Sequence, residues 1–160
     1  MSSAGLISRR SGQRAFTLVE ILVVVAIVAL LAAMAAVNVL RARMVAQEQA
    51  ALSDLQHVAK ACHQYFAVNN VFPDTLTLLG PPTSNPSYLD AQLIGDGSIA
   101  VKGPYVFTYV GGLGGINFTL RANPSQHGVG GVRHFYINRD LAVHVTTENR
   151  NANVDDPILQ

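Results

Sequence analysis

The chain has 160 residues, 49% of them hydrophobic and 13% charged, with one cysteine and a formal net charge of +1. That length suits one modest domain plus an appendage. The lone Cys62 excludes an internal disulfide and a cysteine-based zinc cluster, and a near-neutral charge argues against nucleic acid as the main partner, since phosphate binding needs a concentrated basic surface. The neutrality hides a split: Arg9, Arg10 and Arg14 put three positive charges on the first fifteen residues, leaving eight basic and ten acidic residues for the remainder.

Residues 1–15 form a short polar leader, rich in Ser, Gly and Arg and free of acidic groups. Phe16-Thr17-Leu18-Val19-Glu20 follows, and then Ile21 to Leu40, a run with Asn38 as its one polar residue and no charge. Twenty such residues in a helix span about 30 Å, the thickness of a bilayer's hydrocarbon core. Arginines ahead of the run place the N-terminus in the cytoplasm and the body beyond the membrane. Glu20 breaks the pattern, because a carboxylate costs about 2.5–3.5 kcal/mol at mid-bilayer and less near the interface. It either reaches out to headgroups or waits for a positive partner from another subunit.

From Arg41 to Asn69 there is no Pro or Gly, and Ala, Gln, Leu and Glu favour helix. Leu52, Leu55, Ala59, Cys62 and Phe66 draw one apolar stripe, with Gln47, Glu48, Asp54, Gln56, Lys60 and Gln64 on the other faces. A helix over 16–69 would be about 80 Å long, apolar all round to residue 40 and amphipathic from 41. Asn69-Asn70 and Pro73 end it. Residues 70–104 read as a loop with helical turns near Asp74–Leu79 and Tyr88–Leu93. Four strands follow: Tyr105–Val110, Ile116–Ala122, Arg133–Asn138 and Leu141–Thr146, with Gly111–Gly115 and Arg139-Asp140 as turns. Ile116, Phe118, Leu120 and Ala122 share a face; so do Phe135, Ile137, Leu141, Val143 and Val145. The expected fold is α+β: a long N-terminal helix whose second half packs on a C-terminal antiparallel sheet of about four strands, one face covered, in a headgroup spanning 70–160.

The stretch Ala15-Phe16-Thr17-Leu18-Val19-Glu20, between a basic leader and an unbroken apolar helix, resembles the signal of type IV prepilins and type II secretion pseudopilins. That resemblance implies cleavage between Ala15 and Phe16 by a prepilin peptidase, N-methylation of Phe16, and pairing of Glu20 with the Phe16 ammonium of a neighbouring subunit. Such a pair offsets much of the cost of holding either charge in an apolar medium. The chain departs from the family at Ala15, where glycine is usual, and at Val37, where a helix-bending proline is common. Arg41–Ala46 and Arg133–Tyr136 are also similar to stretches of short pilins and major pseudopilins.

The resemblance implies a structural protein, not an enzyme. A single-pass precursor in a bacterial inner membrane would meet an assembly platform driven by a cytoplasmic ATPase. It would leave lipid for a helical homo-oligomeric fibre, either a surface pilus or a periplasmic pseudopilus. Alternatives are the major pseudopilin of a type II secretion system and a membrane-tethered ligand-binding module. A secretory signal cut after Ala33-Met34-Ala35 competes less well, because Glu20 would head its apolar region and the run exceeds the usual 7–15 residues.

No catalytic constellation and no cofactor site is expected. Glycine clusters at 111–115 and 128–131 lack the strand-to-helix context of a phosphate loop. If Phe135 pairs with Val143, His134 falls opposite His144 as a two-imidazole candidate for a transition metal, without a third ligand. His57 and His63 do not share a helix face. Asp96, Asp155 and Asp156, with Glu148, are weak calcium candidates on an acidic tail, in the region where major pseudopilins as a family hold calcium. Asn117-Phe118-Thr119 fits a glycosylation sequon inside an expected strand. Cys62 and the aromatics Tyr105, Phe107, Tyr109, Phe118, Phe135 and Tyr136 read as core packing.

Overall fold

The structure, a computed structural model, describes residues 16–159. The expected leader and Ala15 lie outside the described residues. The chain divides into two compact units, residues 1–39 and 40–160. Helix α1, Leu18–Asn69, runs through both.

In the first unit α1 buries nothing: every residue from Phe16 to Val39 is exposed. Among the described residues this is the one helix long and apolar enough to cross a membrane.

In the second unit the buried positions of α1 are Glu48, Ala51, Leu55, Val58, Ala59, Ala61 and Cys62, spaced at three and four residues as one helical face demands. Leu52 is half-buried and Phe66 lies at the margin, so the stripe read from sequence is turned slightly toward Ala51 and Val58. The helix stops where Asn70 takes a left-handed conformation (φ 58°) and donates its N–H to the Phe66 carbonyl at 2.8 Å.

A 3-10 turn at Leu76–Leu79 and a short helix α2, Ala91–Ile94, occupy the two places where helical turns were expected. The sheet has five strands rather than four: β1 Ile99–Lys102, β2 Tyr105–Gly111, β3 Phe118–Pro124, β4 His134–Asn138 and β5 His144–Thr146. All neighbours are antiparallel in the order β1-β2-β3-β4-β5. The added strand β1 falls in the segment read as loop. Asp96 creates it by accepting from the N–H groups of Ser98 (2.9 Å) and Ile99 (2.6 Å), which turns the chain into register with β2.

Alternation along the strands sends Ala100, Tyr105, Phe107, Tyr109, Phe118, Leu120, Ala122, Phe135 and Ile137 into one core with Leu55, Val58, Ala59 and Cys62 of α1. Two expected members fall outside it. Ile116 precedes β3 and is 66% exposed, and Leu141 is exposed with a positive φ of 61° in the loop before β5.

All five residues of β4 are buried, so the sheet's second face is covered there as well. The C-terminal segment supplies part of that cover, with Ala152 and Asp156 buried. The N–H of Val145 donates to the Pro157 carbonyl (2.9 Å), that of Leu159 to Val143 (2.8 Å), and Arg121 Nε to the Ala152 carbonyl (3.2 Å). The expected acidic tail is therefore anchored at Ala152 and Asp156, while Asp155 and most of its other residues stay exposed.

Candidate functional site

Thr17 sits immediately before the first helical residue, and its hydroxyl accepts from the Glu20 N–H at 3.2 Å. The Glu20 carboxylate reaches back to accept from the Thr17 N–H (3.4 Å) and hydroxyl (3.5 Å). This reciprocal arrangement is a capping box, which satisfies two N–H groups that have no partner at a helix start. Its carboxylate also lies where the partial positive charge of the helix N-terminus is greatest. All of these atoms are exposed, and Phe16, adjacent to the cap, is 77% exposed.

Glu20 is the only charged residue among the exposed side chains of 16–40. Sequence spacing puts it four residues after Phe16; the helix places its carboxylate over the first turn, against the Thr17 N–H.

Residues 10–36 match a family model described as the prokaryotic N-terminal methylation motif. The chain carries a prepilin signal. The match begins in the basic leader and covers Ala15, Phe16, Glu20 and most of the apolar run. No curated protein and no solved structure matches the chain. With the one membrane-length apolar helix among the described residues starting inside the match, the prepilin signal supports a membrane-anchored type IV pilin-like or pseudopilin precursor. It also implies processing by a prepilin peptidase.

The other acidic candidates do not converge. Asp96 is committed to the backbone of its own turn, and those N–H groups of Ile99 and Ser98 hold its carboxyl below the usual range. Asp155 is exposed. Asp156 is buried, and the Arg150 guanidinium grips both its oxygens, with the Asn153 N–H as a third donor at 2.7 Å. Arg150, and secondarily that N–H, keep the Asp156 carboxyl below its ordinary value. Arg150 also bonds Glu148 at 2.6 Å. The exposed Arg150 guanidinium thus stands between two of the acids that could have faced a calcium ion. Among the described residues no three of His, Cys, Asp or Glu cluster as a metal site of that size requires.

The expected His134–His144 pair does not form. The β4–β5 connection is longer than the two-residue turn Arg139-Asp140, because Asn138 closes a local turn by accepting from the N–H groups of Asp140 and Leu141. The register moves by two residues, pairing Phe135 with Val145, His134 with Thr146, and Tyr136 with His144. His144 Nδ1–H instead donates to the Asp156 carbonyl at 2.7 Å.

One important residue was placed on the wrong face. Glu48, assigned to solvent, is 5% exposed and accepts from the N–H groups of Val132 (2.7 Å) and Arg133 (3.2 Å), with Arg133 Nε 3.5 Å from its other oxygen. It sits three residues before Ala51 and seven before Leu55, so its position in the apolar period was the available signal. Cys62 is buried, which pushes its thiol up to about 12 and makes it an inert packing residue.

Proposed function

We propose that the chain is a pilin: a structural subunit, cut between Ala15 and Phe16 and methylated at Phe16, that polymerises into a type IV pilus-like fibre. The observation that carries this is the isolation of Glu20, the sole charge in a fully exposed apolar helix, held against the backbone one residue beyond the cleavage point. In the precursor its carboxylate caps its own helix. In the fibre it exchanges the Thr17 N–H for the methylated ammonium of a neighbouring subunit's Phe16, and the pair fixes the axial register.

Moving an apolar helix from lipid into a helix bundle gains little hydrophobic free energy, so close packing and this pair must set the geometry. The alanines at 26, 29, 32, 33, 35 and 36 allow that close approach. An inner-membrane platform and its ATPase would supply the work of extraction. The internal Arg150–Asp156 lock supports a pilus subunit over a calcium-dependent pseudopilin, since the headgroup closes its C-terminal segment with its own cation.

The test is Glu20→Gln in cells that make the fibre. The proposal predicts normal leader removal with at least a tenfold loss of sheared fibre. Wild-type fibre yield from that variant would remove the pairing step, and a failure of leader cleavage would assign Glu20 to peptidase recognition instead.

A further inference from the structure

The β3–β4 connection brings together two histidines that the fibre reading does not use. His127 Nδ1 lies 3.1 Å from His134 Nε2, with the rings nearly parallel at 23° and their centres 5.4 Å apart. His134 is 4% exposed, whereas His127 is half-buried on the connecting loop.

The hydrogen bonds around the pair run in one direction. Asn123 Nδ2 donates to Asn151 Oδ1 at 3.0 Å, which turns Asn123 Oδ1 toward His134. His134 Nδ1 donates to that oxygen at 2.9 Å. The proton of a neutral His134 is therefore on Nδ1, and the Nε2 lone pair faces His127, whose Nδ1–H fills it. An outer hydrogen bond that fixes the tautomer and aims the free nitrogen is the arrangement that supports a metal-ligating imidazole.

The backbone beneath is closely tied. Gly128 holds φ at +85° and donates its N–H to the Gly131 carbonyl at 2.8 Å, a turn that suits glycine and folds His127 back onto the strand. Glu48 grips the next two N–H groups, at Val132 and Arg133, and Tyr105 Oη donates to the Arg133 carbonyl at 2.9 Å.

We propose that His127 and His134 are a two-imidazole binding site for a divalent transition metal, with Cu²⁺ the preferred ion. Two nitrogens bound at about 2.0–2.1 Å to one tetrahedral or square-planar ion lie about 2.9–3.4 Å apart, which the observed spacing already meets. The ion displaces the shared proton and sits off the line between the two nitrogens, each ring turning to bring its lone pair onto the metal. His127 then carries its proton on Nε2, so the exchange leaves both rings neutral. Water completes the coordination on the half-open side at His127. Cu²⁺ heads the divalent series for nitrogen ligands, and two neutral imidazoles suit it.

The test uses the full chain in detergent micelles, titrated with Cu²⁺ alone and followed by electron paramagnetic resonance and calorimetry. The expected result is one equivalent of bound copper with a two-nitrogen coupling pattern. His127→Gln, on the loop, should weaken that binding at least tenfold while the metal-free protein still unfolds in one cooperative transition. His57→Gln, on an exposed turn of α1, should leave it intact. Absence of stoichiometric copper, equal affinity in His127→Gln, or equal loss in His57→Gln would overturn the site.

Discussion

The two halves of α1 share one backbone and face two different solvents. From Phe16 to Val39 every side chain is exposed, though nearly all are apolar. From Glu48 to Cys62 each turn buries at least one residue against the core. An exposed apolar surface of that extent is unstable in water, so the first half needs lipid or other helices around it. The second half finds its partner within its own chain. The carboxylates follow the same division. Among the described residues Glu48 has its partners inside the fold, whereas Glu20 has the cap of its own helix.

The sharpest way to break this comparison is to put a charge in the first half. Ile27→Arg should cost about 2.5–3.5 kcal/mol of insertion at mid-membrane and abolish membrane-borne precursor and fibre alike. Membrane fractionation reads this directly, and unchanged membrane content would contradict a lipid-facing role. In the second half, Leu55→Ala removes a fully buried side chain from the core. Such truncations cost about 2–5 kcal/mol, measurable by denaturant unfolding of the full chain in micelles with tyrosine circular dichroism as the signal. Glu48→Ala strands the N–H groups of Val132 and Arg133, and each orphaned buried donor costs about 1–3 kcal/mol.

A smaller effect is expected with pH. The Asp156 carboxyl is held below its ordinary value by Arg150, so the stability it contributes is complete above the ordinary aspartate pKa of about 4 and is lost as pH falls through the lower folded value. Asp156→Asn should flatten the acid limb of the melting temperature below that pH. The smallest effect belongs to Val25→Ala, 60% exposed before substitution, which should move headgroup unfolding by less than about 0.5 kcal/mol.

Much of this was legible in the residues. The apolar run, the helix stop at Asn69-Asn70, the inward face of β3 and the inward Phe135 and Ile137 of β4 each follow from local pattern, and local pattern is what a single sequence displays. The failures share a different cause. Strand β1 is only four residues long and depends on the Asp96 turn and its pairing with β2, which is a tertiary fact. The β4–β5 register moved because Asn138 closes its own turn, and that shift separated His134 from His144. The anchoring of the largely exposed C-terminal segment rests on backbone hydrogen bonds and the Arg150–Asp156 pair, neither of which leaves a hydrophobic period. At the signal itself, the spacing of Phe16 and Glu20 was plain in sequence. The reciprocal cap through Thr17 follows the Thr-x-x-Glu pattern at 17–20, a local signal that the residues also carry.

The most direct measurement is the intact mass and N-terminal sequence of the mature protein taken from native membranes or sheared fibres. The account predicts a chain that begins at Phe16 with a methylated amine. A chain beginning at Ala36, or an uncut Met1, would contradict it and leave the headgroup as a secreted or membrane-tethered module.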